Sequence, residues 1–139
     1  MELNLTETLK NARTIAIIGC SPNEYRTSHH IASYLQEQGY TIIPIHPDHD
    51  EVLGEKAYDS ILDIPDDVEV DVVDIFRDSQ YTAEMVDEIL KWSEKTGQEP
   101  VIWTQLGVSS PEAKEKSEKV GLPYVEEKCM MVEHKRLLG

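Results

Sequence analysis

The 139-residue chain carries 27 Asp and Glu against 13 Lys and Arg, a formal charge of −14, which argues against a nonspecific electrostatic grip on nucleic acid or an anionic membrane. With 40% hydrophobic residues and no low-complexity tract, and a length at which roughly 70% of the unfolded surface is buried, it reads as one domain over 1–139, without internal repeats. The start is neither basic nor apolar and no run approaches the ~18 apolar residues of a membrane span, so the expected compartment is the cytoplasm, where the well-separated Cys20 and Cys129 are free thiols.

Taken in chain order, apolar runs alternate with helical stripes. A short leading helix over about 5–11, with Leu5 and Leu9 spaced i, i+4, lies within a leader of residues 1–13. The continuous apolar run Thr14 to Ile18, ending at Gly19, predicts a buried first strand. A turn over 20–27 leads to a helix at about 28–38 that Gly39 stops. The second strand, Thr41 to Ile45, contains Pro44, which lacks a ladder donor and points to an edge or a local irregularity. An extended piece near Lys56 to Tyr58 and a helical turn at Ser60 to Asp63 precede a strand over Val70 to Phe76.

The clearest helix spans about Ser79 to Thr96, where Tyr81, Met85, Val86, Ile89, Leu90 and Trp92 form an apolar stripe and Gly97 follows the end. Glu99 to Thr104 is a further strand, and Ser110-Pro111-Glu112 opens a helix with a hydroxyl cap and an early proline. Leu122 to Val125 makes a last short strand, and 126–139 is a C-terminal tail packed on the domain that ends in a helical turn. Strand–helix alternation of this kind predicts an α/β fold, a single Rossmann-like domain with a mostly parallel sheet and helices on both faces.

Ligands of open parallel sheets bind beyond the carboxyl ends of the strands. Those ends read Gly19-Cys20-Ser21-Pro22-Asn23 with Arg26, then His46-Pro47, Phe76-Arg77 and Gln105-Leu106-Gly107, and they hold two of the four arginines. Gly19 lets a ligand approach the backbone, and the helix opening near Ser28 aims unpaired N–H groups at it. Arg26 adds a bidentate donor for phosphate oxygens, and Ser21, Thr27 and Ser28 add hydroxyls. The competing reading is that Ser28 only caps the helix and Arg26 is solvated.

The full Gly-x-Gly-x-x-Gly fingerprint is missing, and His46 and Pro47 stand where a nicotinamide site places its ribose-binding acid, with Asp48 close by in the loop. A phosphate-bearing nucleotide is therefore expected, with a nicotinamide dinucleotide ranked second. The five histidines show no metal-ligand spacing, and no Gly-x-Ser-x-Gly elbow is present. Cys20 lies beside a helix N-terminus, where a thiol can be activated; packing behind the turn is the favoured role. Trp92 and Trp103 occupy core positions of helix and strand.

The ordered set Ile17-Ile18-Gly19-Cys20-Ser21-Pro22-Asn23 with Arg26, Gly39-Tyr40, Pro44-Ile45-His46-Pro47, Leu53-Gly54-Glu55, Asp74-Ile75-Phe76-Arg77, Trp103-Thr104-Gln105-Leu106-Gly107-Val108 and Cys129-Met130-Met131-Val132-Glu133-His134 resembles the stand-alone CoA-binding domain proteins of the YccU-like group. That family is similar in fold to the CoA-binding domain of the succinyl-CoA synthetase alpha subunit. The resemblance implies a Rossmann-like sheet that takes coenzyme A, or an acyl-CoA, at its strand ends. It places Gly19, Cys20, Ser21, Pro22, Asn23 and Arg26 at the phosphates, with Ser28 helping at the helix start. Pro47, Phe76 and Arg77 line the nucleotide part, and Gln105, Leu106 and Gly107 close the other side.

His46 in place of the usual asparagine and Thr104 in place of a common aliphatic residue depart from the family pattern. The synthetases act through a phosphorylated histidine in a later domain with a nucleotide-binding partner, and 139 residues leave no room for either. The expected function is thus a non-catalytic CoA-binding sensor, carrier or regulator. A dinucleotide-dependent enzyme and an interaction subunit with a vestigial cleft remain as alternatives. His134, in the tail motif, reads as structural rather than catalytic.

Overall fold

The computed structural model describes residues 3–139. Five strands form one fully parallel sheet in the order β2-β1-β5-β6-β7, with β1 at Thr14–Ile18, β2 at Thr41–Ile45, β5 at Val72–Ile75, β6 at Val101–Thr104 and β7 at Tyr124–Val125. The small strands β3 (Glu51–Val52) and β4 (Glu55–Lys56) make a separate antiparallel hairpin. The β1, β2 and β5 residues are almost all apolar because both faces of the sheet are covered.

Helices α1 (Leu5–Asn11), α2 (Thr27–Glu37) and α5 (Met130–Leu137) bring Leu9, Ile31, Leu35 and Met130 to one face, against Ile15, Ile17, Val72 and Trp103. Helix α3 (Ser79–Thr96) packs on the other face with a single 3-10 turn, Ile61–Asp63, where Val86, Ile89 and Trp92 meet Ala16, Val73 and Ile102. Helix α4 (Pro111–Lys119) joins that layer through Ala113 and is capped as its sequence predicts: the Ser110 hydroxyl accepts from the Ala113 N–H at 3.1 Å.

Pro44 lies in the edge strand. Its carbonyl accepts the Tyr58 N–H at 3.1 Å, on the side turned away from β1, so the proline removes no bond from the main ladder. The extended piece expected at Lys56 to Tyr58 is divided between β4 and an isolated bridge, Ile45 to Tyr58. The tail contains a full helix, α5, rather than a helical turn.

From β1 the chain moves outward to β2, then crosses back to β5 on the opposite side of β1. The strand order therefore reverses between β1 and β5, and the loops leaving these two strands diverge there, opening a crevice at their carboxyl ends.

Candidate functional site

Gly19 is the first residue beyond β1, and its conformation follows from crowding. Its N–H donates to the Ile45 carbonyl and the Phe76 N–H donates to the Ile18 carbonyl, both at 2.8 Å, drawing the ends of β2, β1 and β5 together. Gly19 takes φ +84°, and a Cβ there would stand 2.1 Å from the Phe76 carbonyl oxygen. Only glycine fits, and the missing side chain leaves the backbone open to the crevice.

The following loop is held by its own side chains. The Ser28 hydroxyl accepts the Ser21 N–H (3.0 Å), the Ser21 hydroxyl accepts the Asn23 N–H (3.1 Å), and the Asn23 amide oxygen accepts the Tyr25 N–H (2.9 Å). His29 Nδ1 lies 2.9 Å from the Ser21 carbonyl, which can only accept, so the ring proton sits on Nδ1. Ser28 is thus a loop clamp and not the helix cap. Arg26 occupies the cap position without capping through its side chain, and the amides of Thr27, Ser28 and His29 find no acceptor among the described residues. No acid stands in the first turn of α2 to compensate them. The helix start therefore presents three open donors and roughly half a positive charge.

Three adjoining hollows run along the strand ends. The central one, about 490 Å³, is lined by Gly19, Ser21, Tyr25, Arg26, Thr27, Ser28, His46 and Phe76. A second, about 200 Å³, shares Gly19 and His46 with it and is walled by Ile45, Pro47, Ile61, Met85 and Arg77, with Asp59 and Glu88 as acceptors. The third, about 360 Å³, shares Thr27 and Phe76 with the first and Arg77 with the second, and adds Ile31, Asp78, Gln105, Leu106, Val108 and Cys129.

Nine of the residues expected at the ligand line this trough: Gly19, Ser21, Arg26, Ser28, Pro47, Phe76, Arg77, Gln105 and Leu106. Four do not. Cys20 points into the core, where burial and, secondarily, Asp74 push its thiol up to about 12, so only its backbone faces the loop. Pro22 and Asn23 are exposed at the loop tip, outside the walls. Gly107 sits at φ +75° in the turn that the Val108 N–H closes onto the Gln105 carbonyl, and its own N–H donates to Glu127 at 3.1 Å.

His46 lines both the first and second hollows. Its Nδ1 accepts the Asp48 N–H at 3.2 Å, which leaves the proton of the neutral ring on Nε2. Burial, with the tilted His49 ring 4.6 Å away and Arg77 nearby, lowers its pKa against a smaller opposing effect of Asp48. Thr104, the other departure from the family pattern, lies outside the trough and donates its hydroxyl to the Val125 carbonyl at 2.7 Å, tying β6 to β7.

The central hollow, which has no acid in its lining, is chemically matched to an anion, and Arg77 extends that character into its neighbours. Arg26 is exposed and has no carboxylate partner among the described residues, whereas Arg136 pairs with Glu133 at 2.9 Å. Arg77 rests over the Tyr81 ring at 4.9 Å, and its Nε is buried without an acceptor. An orphaned buried donor of this kind fits an arriving oxyanion. Tyr81 belongs to this rim; the expectation that it lies on the core stripe of α3 fails, because the buried positions are Thr82, Val86, Ile89 and Trp92.

His134 lies at the other end of the sheet, in a hollow with Arg13, Gly39 and Tyr40, and binds the Tyr34 hydroxyl at 2.7 Å. It fastens α5 to α2. Asp71, also at that end, accepts the backbone N–H groups of Arg13 and Thr14. Among the described residues no three His, Cys, Asp or Glu side chains gather as a metal site, and no helix is long and apolar enough to cross a membrane.

Comparison with known proteins places this geometry. The model of a family described as CoA binding domain matches residues 13–135. The chain belongs to the CoA-binding domain family. The uncharacterized protein YneT of Bacillus subtilis is 34% identical over 130 residues, covering 94% of this chain and 91% of that one. A hypothetical protein from Pyrococcus horikoshii shares the domain at 37% identity, with a TM-score of 0.87 and full coverage of both chains. An ADP-forming acetate–CoA ligase of Methanocaldococcus jannaschii is 38% identical over 61 residues, 44% of this chain and 9% of the ligase. At the level of fold alone, the CoA-binding domain also superposes on a dinucleotide-forming acetyl-coenzyme A synthetase of Candidatus Korarchaeum cryptofilum, with a TM-score of 0.68 over 87% of this chain and 27% of the synthetase.

Proposed function

We propose that the chain binds coenzyme A or an acyl-CoA in the strand-end trough and serves as a non-catalytic carrier, sensor or regulator. The observation that carries this reading is the uncapped start of α2, where three unpaired amides and Arg26 face a hollow floored by Gly19. A diphosphate is the complement of that surface. The adenosine end fits the second hollow, with apolar walls at Ile45, Ile61 and Met85 and carboxylates at Asp59 and Glu88 to accept from an exocyclic amine or ribose hydroxyls. The pantetheine arm fits the third, along Ile31, Phe76, Leu106 and Val108.

Membership of the CoA-binding domain family and the partial match to an ADP-forming acetate–CoA ligase support the same ligand. Two residues that could have served chemistry stand outside the trough: Cys20 is buried with its thiol held protonated, and His134 lies at the far end of the sheet. The charge of −14 favours a small nucleotide ligand over nucleic acid or a membrane.

Thermal unfolding with coenzyme A, NAD and NADP at equal concentrations tests the reading. A ligand present at a hundred times its dissociation constant stabilises the native state by about 2.7 kcal/mol, so a raised midpoint with coenzyme A is expected. A rise with a nicotinamide dinucleotide alone replaces this reading with the dinucleotide one, and no rise with any of the three favours an interaction subunit with a vestigial cleft.

A further inference from the structure

Beneath the third hollow lies a carboxylate to which the proposed binding mode gives no role. Asp74 in β5 is fully buried, and both its oxygens accept from one donor, Gln105 Nε2, at 2.7 and 2.9 Å. No other hydrogen bond reaches it among the described residues. The Cys20 thiol faces it from the loop after β1 and is held protonated.

Above about pH 7, where Asp74 is ionised and only accepts, the Gln105 amide cannot be reversed: its NH2 must point inward and its carbonyl Oε1 away from Asp74. Gln105 is itself only 5% exposed and forms part of the wall of the third hollow. Its Oε1 has no partner among the described residues, and the hollow it borders combines apolar Ile31, Phe76, Leu106 and Val108 with the Asp78 carboxylate, while Arg77 and Thr27 lie where this hollow joins the other two. Away from Arg77, a fixed carbonyl acceptor together with the Asp78 carboxylate disfavours phosphate, which also only accepts, and complements a flexible arm that carries N–H or O–H groups.

We propose that Asp74 is a positioning residue which fixes Gln105 with its carbonyl toward the third hollow, so that this end of the trough selects the amide-bearing pantetheine arm and rejects the phosphate end. The inference rests on the coenzyme A reading and adds a direction to it: phosphates toward Arg26, arm toward Gln105. It also assigns to a buried acid, out of reach of any ligand, an effect on which part of the ligand is recognised.

The test compares two ligands by calorimetry at pH 8: coenzyme A, and adenosine 3′-phosphate 5′-diphosphate, the same nucleotide without its arm. Gln105→Met removes the acceptor at similar side-chain length, and Asp74→Asn frees the amide to turn. Each is expected to weaken coenzyme A by about tenfold, the scale of one hydrogen bond, while the truncated nucleotide binds as it does to the unmodified chain and thereby reports an intact fold. In the unmodified protein, nuclear magnetic resonance should show the Gln105 NH2 protected from exchange with or without ligand, a readout that survives if Asp74→Asn does not fold.

Equal losses for both ligands, undiminished coenzyme A affinity in Gln105→Met, or a freely exchanging Gln105 amide overturns the proposal. Binding of the truncated nucleotide as tightly as coenzyme A by the unmodified chain overturns it too, while leaving the nucleotide site in place. Failure of the unmodified chain to bind either ligand removes both this inference and the function it rests on.

Discussion

Gly19 and Phe76 meet where the strand order reverses: the Phe76 carbonyl oxygen stands 2.1 Å from the position a Gly19 Cβ would take. The obstacle is backbone, which cannot swing aside as a side chain can, and the φ of +84° adds strain for any other residue. Gly19→Ala is expected to destabilise the fold by about 2–4 kcal/mol, the combined scale of one strained backbone and one local rearrangement. Chemical denaturation measures this loss, and a midpoint within error of the unmodified chain refutes the crowding argument. Where the variant remains folded, coenzyme A should bind it more weakly, because the β1 and β5 ends have moved apart.

Arg26 offers the opposite case, a side chain whose loss the fold should ignore. It is exposed, without a carboxylate partner among the described residues, and at the lip of the central hollow. Arg26→Ala is expected to leave the unfolding midpoint unchanged and to weaken coenzyme A by about 1.5–3 kcal/mol, the range for a hydrogen bond to a charged group. Calorimetry at two salt concentrations checks both the size of the loss and its ionic origin, since the lost term should be the salt-sensitive one. Unchanged affinity takes Arg26 out of the site.

The sheet and its layers were legible because the signals are local: an apolar run at β1 and another at β5 interrupted only by Asp74, a proline confined to an edge strand, and Ser110-Pro111 opening α4. The site was legible as a set of loops, since strand ends follow once strands are placed. Which members of a loop face the ligand was not. Cys20 stands inside the motif, yet it packs inward with Ile17 on the α2 face, and Pro22 and Asn23 are carried to the tip. Tyr81 was misplaced for a related reason. Thr82 takes the core position beside it because its hydroxyl donates to the Val108 carbonyl at 2.7 Å, a long-range partner that a count of apolar residues does not register. Asp74 left a fainter trace, a lone acid in the apolar run Val72 to Ile75. Such an acid requires a buried donor, and only the fold shows that Gln105 supplies it.

Burial of Asp74 raises its carboxyl from 3.8 to about 7, with the Gln105 hydrogen bond acting in the opposite sense. Between these values the folded chain holds a proton that the unfolded chain has released, so stability falls as pH rises from about 4 to about 7 and levels off above. At roughly 1.4 kcal/mol for each unit of difference, the effect amounts to a few kcal/mol. His46 and His134, both lowered by burial, work the other way, since the unfolded chain binds protons there that the folded chain refuses. Subtracting the pH profile of Asp74→Asn from that of the unmodified protein isolates the carboxylate. The difference should decline across this window, and a flat difference shows that Asp74 is ionised throughout or retains its proton above pH 7.

His134 separates a conspicuous motif residue from the binding site. Its ring lies edge-on to Tyr34 and Tyr40, and its Nδ1 meets the Tyr34 hydroxyl at the end of the sheet opposite the trough. His134→Phe keeps an aromatic ring between the two tyrosines but strands the hydroxyl, which should lower stability by about 1 kcal/mol, the net worth of one hydrogen bond. Because α5 runs from Cys129, beside the third hollow, down to this contact, loosening its far end leaves the ligand walls in place. Coenzyme A affinity is therefore expected to stay within twofold of the unmodified chain when measured well below the unfolding transition. A loss of affinity larger than the loss of stability would place His134 in communication with the trough and end its assignment as a fastening between helices.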